Sequence, residues 1–577
     1  MIRNLKRCFV LTVFFGIYSP IYAQYNHPND YFGSPIGSLP IEITGTFGEL
    51  RGEHFHGGLD IKALTGTKIL ALADGYVSRI KISSTGYGFA LYISYPNGYT
   101  SVFGHLSKFD ANIHEFVRAK QRSLGVFELD MMLTADVFPV KKGQVVALSG
   151  NTGASGGAHL HFEMRDSATE HPINPFYFGF TTQDKIKPSI ASATIYFTNE
   201  NGLPTHPAQT YAATLQNGEY ALNPKKITTN APFYVGVRAW DTHNTSANHN
   251  GIFSVAMKLN GFLVFSLKMK EFGFEQTRCS NAVMDYEQKI KNKTTTYRLY
   301  KQPNNDAPIY DSLINNGLLL IPAGITAQIS IEVSDFFGNK SVLNFEAEAT
   351  KNNAIATPAN VWSCYQTNEY FTENLRLTLP YRSLFNDVLA KVYETQNAKF
   401  DSVLVNNALV LVPKNVFSKT YTIAHKGISP YKNYVLALKA SDALPNYLRS
   451  KVAMRCDKQI ILGRWINDDF FEANPRYFGS FSLCVDTVAP EIKKLYSPTK
   501  TQMPTYLSYK IVDALSGISQ YYATLNDTFT WFSYDAKVQK LVVELPKNLP
   551  KGKHILAINI SDNVQNTRHF TDTLTQY

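Results

Sequence analysis

Short apolar runs, separated by turns that contain glycine, fill the chain from about residue 41 to residue 180. Residues 68–73, 89–95 and 144–148 are such runs, and Tyr76, Ser78, Ile80 and Ile82 share one face of another. The dipeptides Asp74-Gly75 and Asn97-Gly98 stand at the ends of two runs. Short runs bounded by these dipeptides predict β-strands joined by tight turns.

After about residue 187, strand-like runs with a common ending recur. Four of them end at an aspartate that is followed three or four positions later by an asparagine. This pattern predicts strands closed by Asp/Asn turns, which are common in β-sandwich modules. Calcium ligation by these aspartates is the alternative, and turn chemistry is the favoured interpretation. The four pairs are Asp241 with Asn244, Asp335 with Asn339, Asp442 with Asn446, and Asp562 with Asn566.

The length and composition predict several all-β domains. A chain of 577 residues is too long to fold around a single hydrophobic core. About three to five domains of roughly 100–200 residues are therefore expected. Aromatic residues make up 13% of the chain, which favours β structure. We predict an all-β fold in which a first domain is followed by immunoglobulin-like β-sandwich modules. The predicted units are 24–183, 187–350, 351–486 and 487–577.

The N-terminus predicts export. Arg3, Lys6 and Arg7 precede a short apolar run at residues 8–18, and Ala23 offers a cleavage site. This pattern predicts a secretory signal peptide at residues 1–23, and an uncleaved membrane anchor is the alternative. The run is short for a bilayer span of roughly 20 residues. We therefore expect a periplasmic, cell-envelope or extracellular protein with no transmembrane segment after cleavage.

The net charge bears on whether nucleic acid is a partner, and the spacing of the cysteines bears on whether they are structural. The net charge is +10, but the basic residues are scattered along the chain, so nucleic acid is not an expected partner. Four cysteines remain after cleavage, and none has CxxC spacing. A structural role, paired or simply buried, is expected, with three possible pairings. These cysteines are Cys279, Cys364, Cys456 and Cys484.

The strongest candidates for metal binding or catalysis lie in His159-Leu160-His161, which follows a glycine-rich run. In a strand, residues i and i+2 point to the same face, so both imidazoles would project together. Far upstream, His56 and Asp60 flank two glycines that would let both side chains converge on one ion. Zinc hydrolases commonly use three protein ligands and leave a fourth position open. His56, Asp60 and His161 form such a set.

Two further histidines have candidate catalytic roles. His159 would lie beside His161, and His105 follows a tyrosine-rich strand and hairpin. Either imidazole could deprotonate a water molecule or stabilise a tetrahedral intermediate. For His105 taken alone, an ordinary surface or core histidine is the favoured interpretation. His54 forms a second His-x-His pair with His56, so the spacing alone is ambiguous.

Several blocks, in order, resemble the lysostaphin/LytM-type zinc endopeptidases across roughly residues 41–180. The resemblance implies that His56, Asp60 and His161 bind Zn²⁺ and that His105 and His159 are catalytic. It also implies a small antiparallel β domain with a groove, acting on the peptide cross-links of peptidoglycan. The blocks are Phe47-Gly48, His56-Gly57-Gly58-Leu59-Asp60, Gly66-Thr67, Ala73-Asp74-Gly75, Phe103-Gly104-His105-Leu106, Gly150-Asn151-Thr152-Gly153 and His159-Leu160-His161-Phe162-Glu163.

The chain departs from that family at two places. Phe103 stands where the family often has tyrosine, which removes a hydroxyl but neither a ligand nor a catalytic imidazole. The segment 107–140 is longer than usual and contains Phe116, Phe127 and Phe138, with two methionines. It is interpreted either as a segment that packs over or rims the groove, or as an ordinary surface insertion.

Three functions remain open from the sequence. An exported zinc endopeptidase that cleaves peptidoglycan cross-links is favoured because all five histidine and aspartate positions are present. A non-catalytic peptidoglycan-binding protein, or an activator of another cell-wall hydrolase, is the main alternative. A surface adhesin that binds through its C-terminal modules is the weakest hypothesis. Nothing in the sequence decides the oligomeric state.

Overall fold

The structure is a computed structural model that describes residues 30–576, apart from 245, 351–359, 390, 397–401, 406–407, 412–418, 424–426, 441–443, 458 and 496–503. The structure is 50% strand and 9% helical, so the predicted all-β class is confirmed. The predicted signal peptide at residues 1–23 lies outside the described residues. Within the described part, the longest helix has 14 residues, and none has the length and apolarity that a bilayer span requires.

A nine-stranded antiparallel sheet forms the N-terminal domain (residues 30–183). Pro139–Val140 joins it by pairing with Gly75–Ile82, and Pro172–Ile173 by pairing with Leu160–Asp166. The two strands that carry the candidate metal ligands are direct neighbours near one edge. The main order is Ile43–Gly45, Leu59–Ile61, Leu160–Asp166, Tyr99–Leu106, Phe89–Ser94, Gly75–Ile82 and Leu129–Met132.

Three smaller elements complete this domain. A three-stranded sheet packs Lys68–Leu70 and Lys108–Phe109 on either side of Val145–Leu148. A short hairpin pairs Leu50–Arg51 with His54–Phe55. A 3-10 helix, Pro175–Phe178, closes the domain.

The long segment 107–140 contains an α-helix, Ala111–Leu124, which we call the insertion helix. It begins after Asp110 and ends at Gly125, whose φ of 66° suits glycine. Its buried face consists of Ile113, Val117 and Gln121. Gln121 of this face and the following residue Phe127 contact Trp531, about 400 residues further along the chain.

The second module (residues 187–350) is built on one eleven-stranded sheet with a single parallel pairing, between Glu219–Thr229 and Lys340–Ala349. Tyr297–Arg298 adds to it by pairing with Phe233–His243. Short helices follow at Phe274–Cys279, Ser280–Val283, Tyr286–Asn292 and Asn315–Gly317. The main strand order is Ser246–Asn250, Phe233–His243, Ser189–Phe197, Gln209–Gln216, Glu219–Thr229, Lys340–Ala349, Thr326–Ser334, Ser254–Leu259, Phe262–Lys268 and Tyr310–Leu313.

Two five-stranded sheets around a core of their own lie within residues 361–485, which we call the third module. The first runs Asn368–Phe371, Leu375–Leu379, Val435–Lys439, Phe470–Ala473, Gly463–Trp465. The second runs Val392–Gln396, Lys419–Ile423, Gly479–Val485, Val452–Cys456, Gln459–Ile461. The remaining elements are Val361–Trp362 with Val388–Leu389, Ser402–Val405 with Ala408–Leu411, and the 3-10 helix Asn446–Lys451.

The C-terminal module (residues 487–577) consists of two four-stranded sheets. Its buried residues belong to one apolar core that continues through the N-terminal domain and the second module. The chain end therefore packs back on its beginning. The sheets are Glu491–Lys494, Tyr506–Val512, Lys540–Glu544, Phe532–Asp535, and Thr528–Phe529, Ile518–Leu525, Gly552–Asp562, Thr567–Gln576.

Two of the four predicted Asp/Asn pairs close turns. Asn339 donates its backbone N–H to Asp335 Oδ1 (2.8 Å), and Asn566 does the same to Asp562 Oδ1 (2.8 Å). Asp241 is different, because Asn244 accepts from Lys185 instead. Asp442 lies outside the described residues. All four cysteines are buried thiols.

Candidate metal centre

The three predicted ligands meet at the junction of two neighbouring strands. Asp60 lies in Leu59–Ile61 and pairs in register with His161 of Leu160–Asp166. His56 lies just before the first of these strands. Antiparallel pairing therefore brings together side chains that are about a hundred residues apart in the chain.

The ligand atoms of this triad converge on a small volume. Asp60 Oδ1 is 3.0 Å from His56 Nε2 and 3.0 Å from His161 Nδ1, and the two nitrogens are 3.1 Å apart. All three residues are buried. Two imidazoles and one carboxylate at this spacing could hold a metal ion.

In His56 and His161, the ring nitrogen that faces away from the triad (the outer nitrogen) donates a hydrogen bond. The nitrogen that faces the triad (the inner nitrogen) then carries no hydrogen. His56 Nδ1 lies 2.7 Å from the carbonyl of Thr46 and donates to it. His161 Nε2 lies 2.8 Å from Glu163 Oε1 and donates to it. Each inner nitrogen is then left with a lone pair, as a metal ligand requires. The donor set fits Zn²⁺, which accepts imidazole and carboxylate ligands in a four-coordinate site.

A buried ionic network stands behind His161. Glu163 accepts hydrogen bonds from Tyr87 (2.6 Å) and from Arg165 Nε (2.7 Å). Burial alone would raise the pKa of Glu163, but Arg165 and His161 hold it at about 2. Burial likewise opposes the charged imidazole, yet Asp60 and Glu163 raise the pKa of His161 to about 9. The carboxylates of Asp60 and Glu163 thus favour positive charge at His161, whether a proton or a bound cation carries it.

Arg51 occupies the oxygen of Asp60 that faces away from the two imidazoles. Its Nη2 lies 2.5 Å from Asp60 Oδ2 and 3.2 Å from Glu49 Oε2. Burial opposes ionisation of Asp60, but the surrounding imidazoles, His56 first, hold its pKa well below the usual value. Asp60 is therefore a carboxylate that offers Oδ1 alone to an ion.

His159 and His105, the two predicted catalytic histidines, lie beside the triad. His159 Nε2 is 3.3 Å from Asp60 Oδ1, and its Nδ1 donates to the carbonyl of Gly157 (2.9 Å). The rings of His105 and His159 are 4.8 Å apart, and His105 Nδ1 donates to the carbonyl of Thr152 (2.8 Å). Because Nδ1 carries the hydrogen in both imidazoles, Nε2 of each can accept a proton.

His105 is a neutral base held in an unusual backbone conformation. Burial, with the nearby imidazoles of His161 and His159, lowers its pKa to about 3. Its φ of 60° is uncommon for a residue with a side chain, and such conformations cluster at functional sites. His54 is exposed, and its ring contacts the carbonyl of Gly52 and not the triad. The structure thus separates the two His-x-His pairs that spacing left ambiguous.

Gly57 and Gly58 allow close packing of two backbone segments. A Cβ on Gly58 would lie 2.1 Å from the carbonyl oxygen of Phe162, and one on Gly57 would lie 2.9 Å from Glu163 Oε1. Neither glycine has a positive φ. The missing side chains let the His56–Asp60 segment lie flat on Leu160–Asp166.

A basic cavity of about 250 Å³ opens on the other side of Arg51. The second module supplies Arg238, Lys289 and Lys293 to its wall, and Glu49 is the one carboxylate among the residues that line it. The cavity therefore has a positive potential next to the candidate metal centre.

Sequence reasoning missed the supporting residues. Arg51, Tyr87 and Arg165 received no role, and Glu163 was noted only as part of a motif. The spacing along the strand could have pointed to Glu163 and Arg165. Together with His161 they occupy positions i, i+2 and i+4, which share one face of a strand. Tyr87 comes from a separate turn, and its contact with Glu163 depends on the tertiary fold.

Residues 54–125 match the model for peptidase family M23. Among curated proteins, the chain is 35% identical over 120 residues to an uncharacterised metalloprotease of Haemophilus influenzae, covering 21% of this chain and 20% of that protein. It is 28% identical over 170 residues to the DD-carboxypeptidase/endopeptidase Mpg of Neisseria meningitidis, covering 30% of each. The chain thus spans less than a third of these relatives.

Two further similarities each cover about a quarter of the chain. The chain is 31% identical over 137 residues to the murein hydrolase activator NlpD of Escherichia coli, covering 24% of this chain and 29% of that protein. Among solved structures, the catalytic domain of the M23 protein EnpA from Enterococcus faecalis is 28% identical, with a TM-score of 0.19, covering 25% of this chain and 95% of that domain. The match at residues 54–125 shows that the chain carries a domain of peptidase family M23, as the resemblance predicted.

Proposed function

We propose that this chain is an exported zinc endopeptidase that hydrolyses peptide cross-links of peptidoglycan. The observation that carries the proposal is the complete triad of His56, Asp60 and His161 with His105 and His159 beside it. The family match and the relatives that act on or around murein support the substrate class.

The chain's own residues supply the proton chemistry. Peptide hydrolysis forms a C–O bond from water and breaks the C–N bond of the substrate. His159 or His105 accepts the water proton at Nε2 and returns it to the leaving amine. A bound zinc ion would polarise the scissile carbonyl and offset the charge that develops on its oxygen. Arg51 keeps Asp60 ionised and oriented throughout.

The basic cavity supports a substrate with negative charge. Peptides of the cell wall carry free carboxylates, and the cations of Arg238, Lys289 and Lys293 lie on one side of the site. Such a cavity attracts an anionic peptide more strongly at low ionic strength.

Two histidine variants test the assignment. His161→Ala should lose zinc and activity together because it removes a ligand. His159→Ala should keep zinc and lose turnover because it removes only a proton carrier. Zinc is measured by metal analysis, and turnover by mass spectrometry of muropeptides released from glycine-bridged and directly cross-linked peptidoglycan. His54→Ala is the matched control, because the exposed His54 lies outside the triad, and it should keep both properties.

A non-catalytic activator is the second candidate function, favoured by the similarity to NlpD, a murein hydrolase activator. Wild-type protein that holds zinc but releases no fragment from either peptidoglycan would contradict the peptidase proposal. Stimulation of a separate hydrolase by that same protein would then support the activator.

A further inference from the structure

A second cluster of ligand-type side chains lies at the junction of the N-terminal domain and the second module. Asp184 belongs to the segment that links the two units. Asp241 and His243 lie at the end of the strand Phe233–His243. Asp335 follows the strand Thr326–Ser334. The peptidase machinery described above uses none of these residues.

The side chains of Asp184, Asp241 and His243 converge in the interior. His243 Nδ1 lies 3.1 Å from Asp184 Oδ2, and His243 Nε2 lies 3.9 Å from Asp241 Oδ2. Ligand atoms from all three lie within 4.8 Å of one another. Their side chains are 0%, 2% and 1% exposed, in the order Asp184, Asp241, His243.

Although His243 Nδ1 and Asp184 Oδ2 lie 3.1 Å apart, their geometry is not that of a hydrogen bond, and several polar atoms of this cluster make no hydrogen bond among the described residues. They are Asp184 Oδ2, Asp241 Oδ1 and both ring nitrogens of His243. Buried polar atoms in folded proteins are nearly always hydrogen-bonded, so each exception needs an explanation. Asp335 differs, because Asn339 donates to both of its carboxylate oxygens.

The other acidic cluster of the described chain, at the start of the C-terminal module, does not share this property. There, each carboxylate accepts hydrogen bonds from backbone N–H groups, so turn chemistry accounts for it. Its residues are Asp486, Asp513 and Asp562.

The junction cluster also lacks a compensating cation. Within the described residues, no lysine or arginine forms an ion pair with Asp184, Asp241 or Asp335, and His243 is the one group able to carry positive charge. An uncompensated buried carboxylate is costly.

A small cavity adjoins these side chains. Its volume is about 20 Å³, and Asp241, His243 and Asp335 line it together with Thr46 and Phe176 of the N-terminal domain. A space of roughly 10–15 Å³ already holds one water-sized particle. The cavity therefore has room for one ion.

We propose that Asp184, Asp241 and His243 bind a second divalent cation, which fastens the second module to the N-terminal domain. Imidazole as a ligand favours a transition-metal ion, and a buried set of two carboxylates and one imidazole suits Zn²⁺. Ca²⁺, which prefers six to eight oxygen ligands, fits less well. The role is structural, because the ion would link a connecting segment to a core strand.

Metal content of the full chain tests this proposal separately from the peptidase proposal. After dialysis against Zn²⁺ and removal of loosely bound metal, wild type should hold two zinc ions per chain. Asp241→Asn and His161→Ala should each hold one, and the double variant none. If wild type holds one ion that only His161→Ala removes, the junction site is wrong and the catalytic site stands. If only Asp241→Asn removes it, the junction site stands and the zinc peptidase proposal fails.

Thermal unfolding gives a second readout should Asp241→Asn fold poorly. In His161→Ala, which lacks the catalytic site, adding Zn²⁺ to chelator-treated protein should raise the unfolding midpoint by about 4 °C or more. The control adds Asp311→Asn, a partly exposed carboxylate of the same module that lies outside the cluster and pairs with Lys268 and Lys270, and should leave that rise unchanged. Adding His243→Ala instead should abolish it. No rise in His161→Ala, or an equal rise with His243→Ala, would overturn the proposal; a rise with Mn²⁺ but not Zn²⁺ would overturn the choice of metal.

Discussion

His159 and His161 lie two residues apart and face the same carboxylate, yet their outer ring nitrogens have different partners. His161 donates to the buried Glu163, whereas His159 donates to the carbonyl of Gly157 in a glycine-rich loop. A carboxylate behind an imidazole raises its basicity and fixes its orientation, which suits a metal ligand. A backbone carbonyl on a loop leaves the other imidazole better suited to proton transfer.

At this scale we predict the effect of Glu163→Gln. The amide keeps the size of the side chain but removes the charge that holds His161 and Arg165. Zinc affinity should fall by about 10–100-fold, as for other residues that orient a metal ligand. Competition with a chromogenic chelator measures it.

Glu170→Gln is the matched control for this prediction. Glu170 also pairs with Arg165, but its side chain is 48% exposed and does not touch His161. Zinc affinity should stay within about twofold of wild type. An equal loss in both variants would show that Arg165, and not the contact with His161, is what matters.

At the scale of elements, the site depends on how closely two segments approach. The His56–Asp60 segment lies on Leu160–Asp166 because Gly57 and Gly58 have no side chains. The insertion helix illustrates the opposite case, since Gln121 on its buried face has a partner far along the chain. The sequence contains the usual signals for this helix. Asp110 marks its start, Ile113 and Val117 are apolar positions on one face, and Gly125 marks its end. Its partner was not readable from them.

We predict that Gly58→Ala displaces the ligand segment. The new methyl group would meet the backbone of Phe162, which cannot move aside as a flexible side chain can. Overpacking of this kind costs on the order of 2 kcal/mol, and zinc affinity should fall with the stability. Chemical denaturation and zinc titration measure both.

Gly52→Ala serves as the comparison for Gly58→Ala. Gly52 lies six residues earlier, and a Cβ there would meet no atom within 4 Å. This variant should keep wild-type stability and zinc affinity. A stable Gly58→Ala protein with normal affinity would refute the packing argument.

At the scale of the whole molecule, the C-terminal module returns to the N-terminal domain. Trp531 Nε1 donates to Gln121 of the insertion helix (2.8 Å), and the Arg118 guanidinium lies 3.6 Å from the Trp531 ring centre. Lys537 contacts Asn151, next to the Thr152 carbonyl that holds His105. The long segment 107–140 thus provides a docking surface for the module.

We predict that Trp531→Ala releases the C-terminal module. The substitution removes both the cation–π contact, worth about 1–2 kcal/mol when shielded from water, and the hydrogen bond to Gln121. The insertion helix, Ala111–Leu124, should then exchange its amide hydrogens faster. Hydrogen exchange followed by mass spectrometry measures this directly.

Trp465→Ala controls for the loss of a tryptophan. Trp465 makes the same two kinds of contact within the third module. The Arg449 guanidinium lies 3.7 Å from the Trp465 ring centre, and the backbone carbonyl of Arg449 accepts a hydrogen bond from Trp465 Nε1. Exchange in the insertion helix should not change in this variant. Equal protection of the helix in wild type and Trp531→Ala would show that the docking does not depend on this ring.

The sequence by itself determined what depends on neighbours along the chain. Alternating apolar positions and Asp-Gly turns set the strands, because side-chain direction in a strand follows from a period of two. The spacing within His56–Asp60 and His159–His161 likewise predicted which side chains share a face. Motif order then singled out the residues that the structure brings within 3.1 Å of one another.

Only the tertiary structure decided contacts between distant surfaces. Asp184 meets His243, and Trp531 meets Gln121 410 residues away, and no local pattern predicts either pairing. Such contacts form only between apolar or charged surfaces that fit each other after all the strands have taken their places. This fit is a property of the whole folded chain and of no single segment. The same reason explains why Glu163 was visible in the sequence while its partner Tyr87 was not.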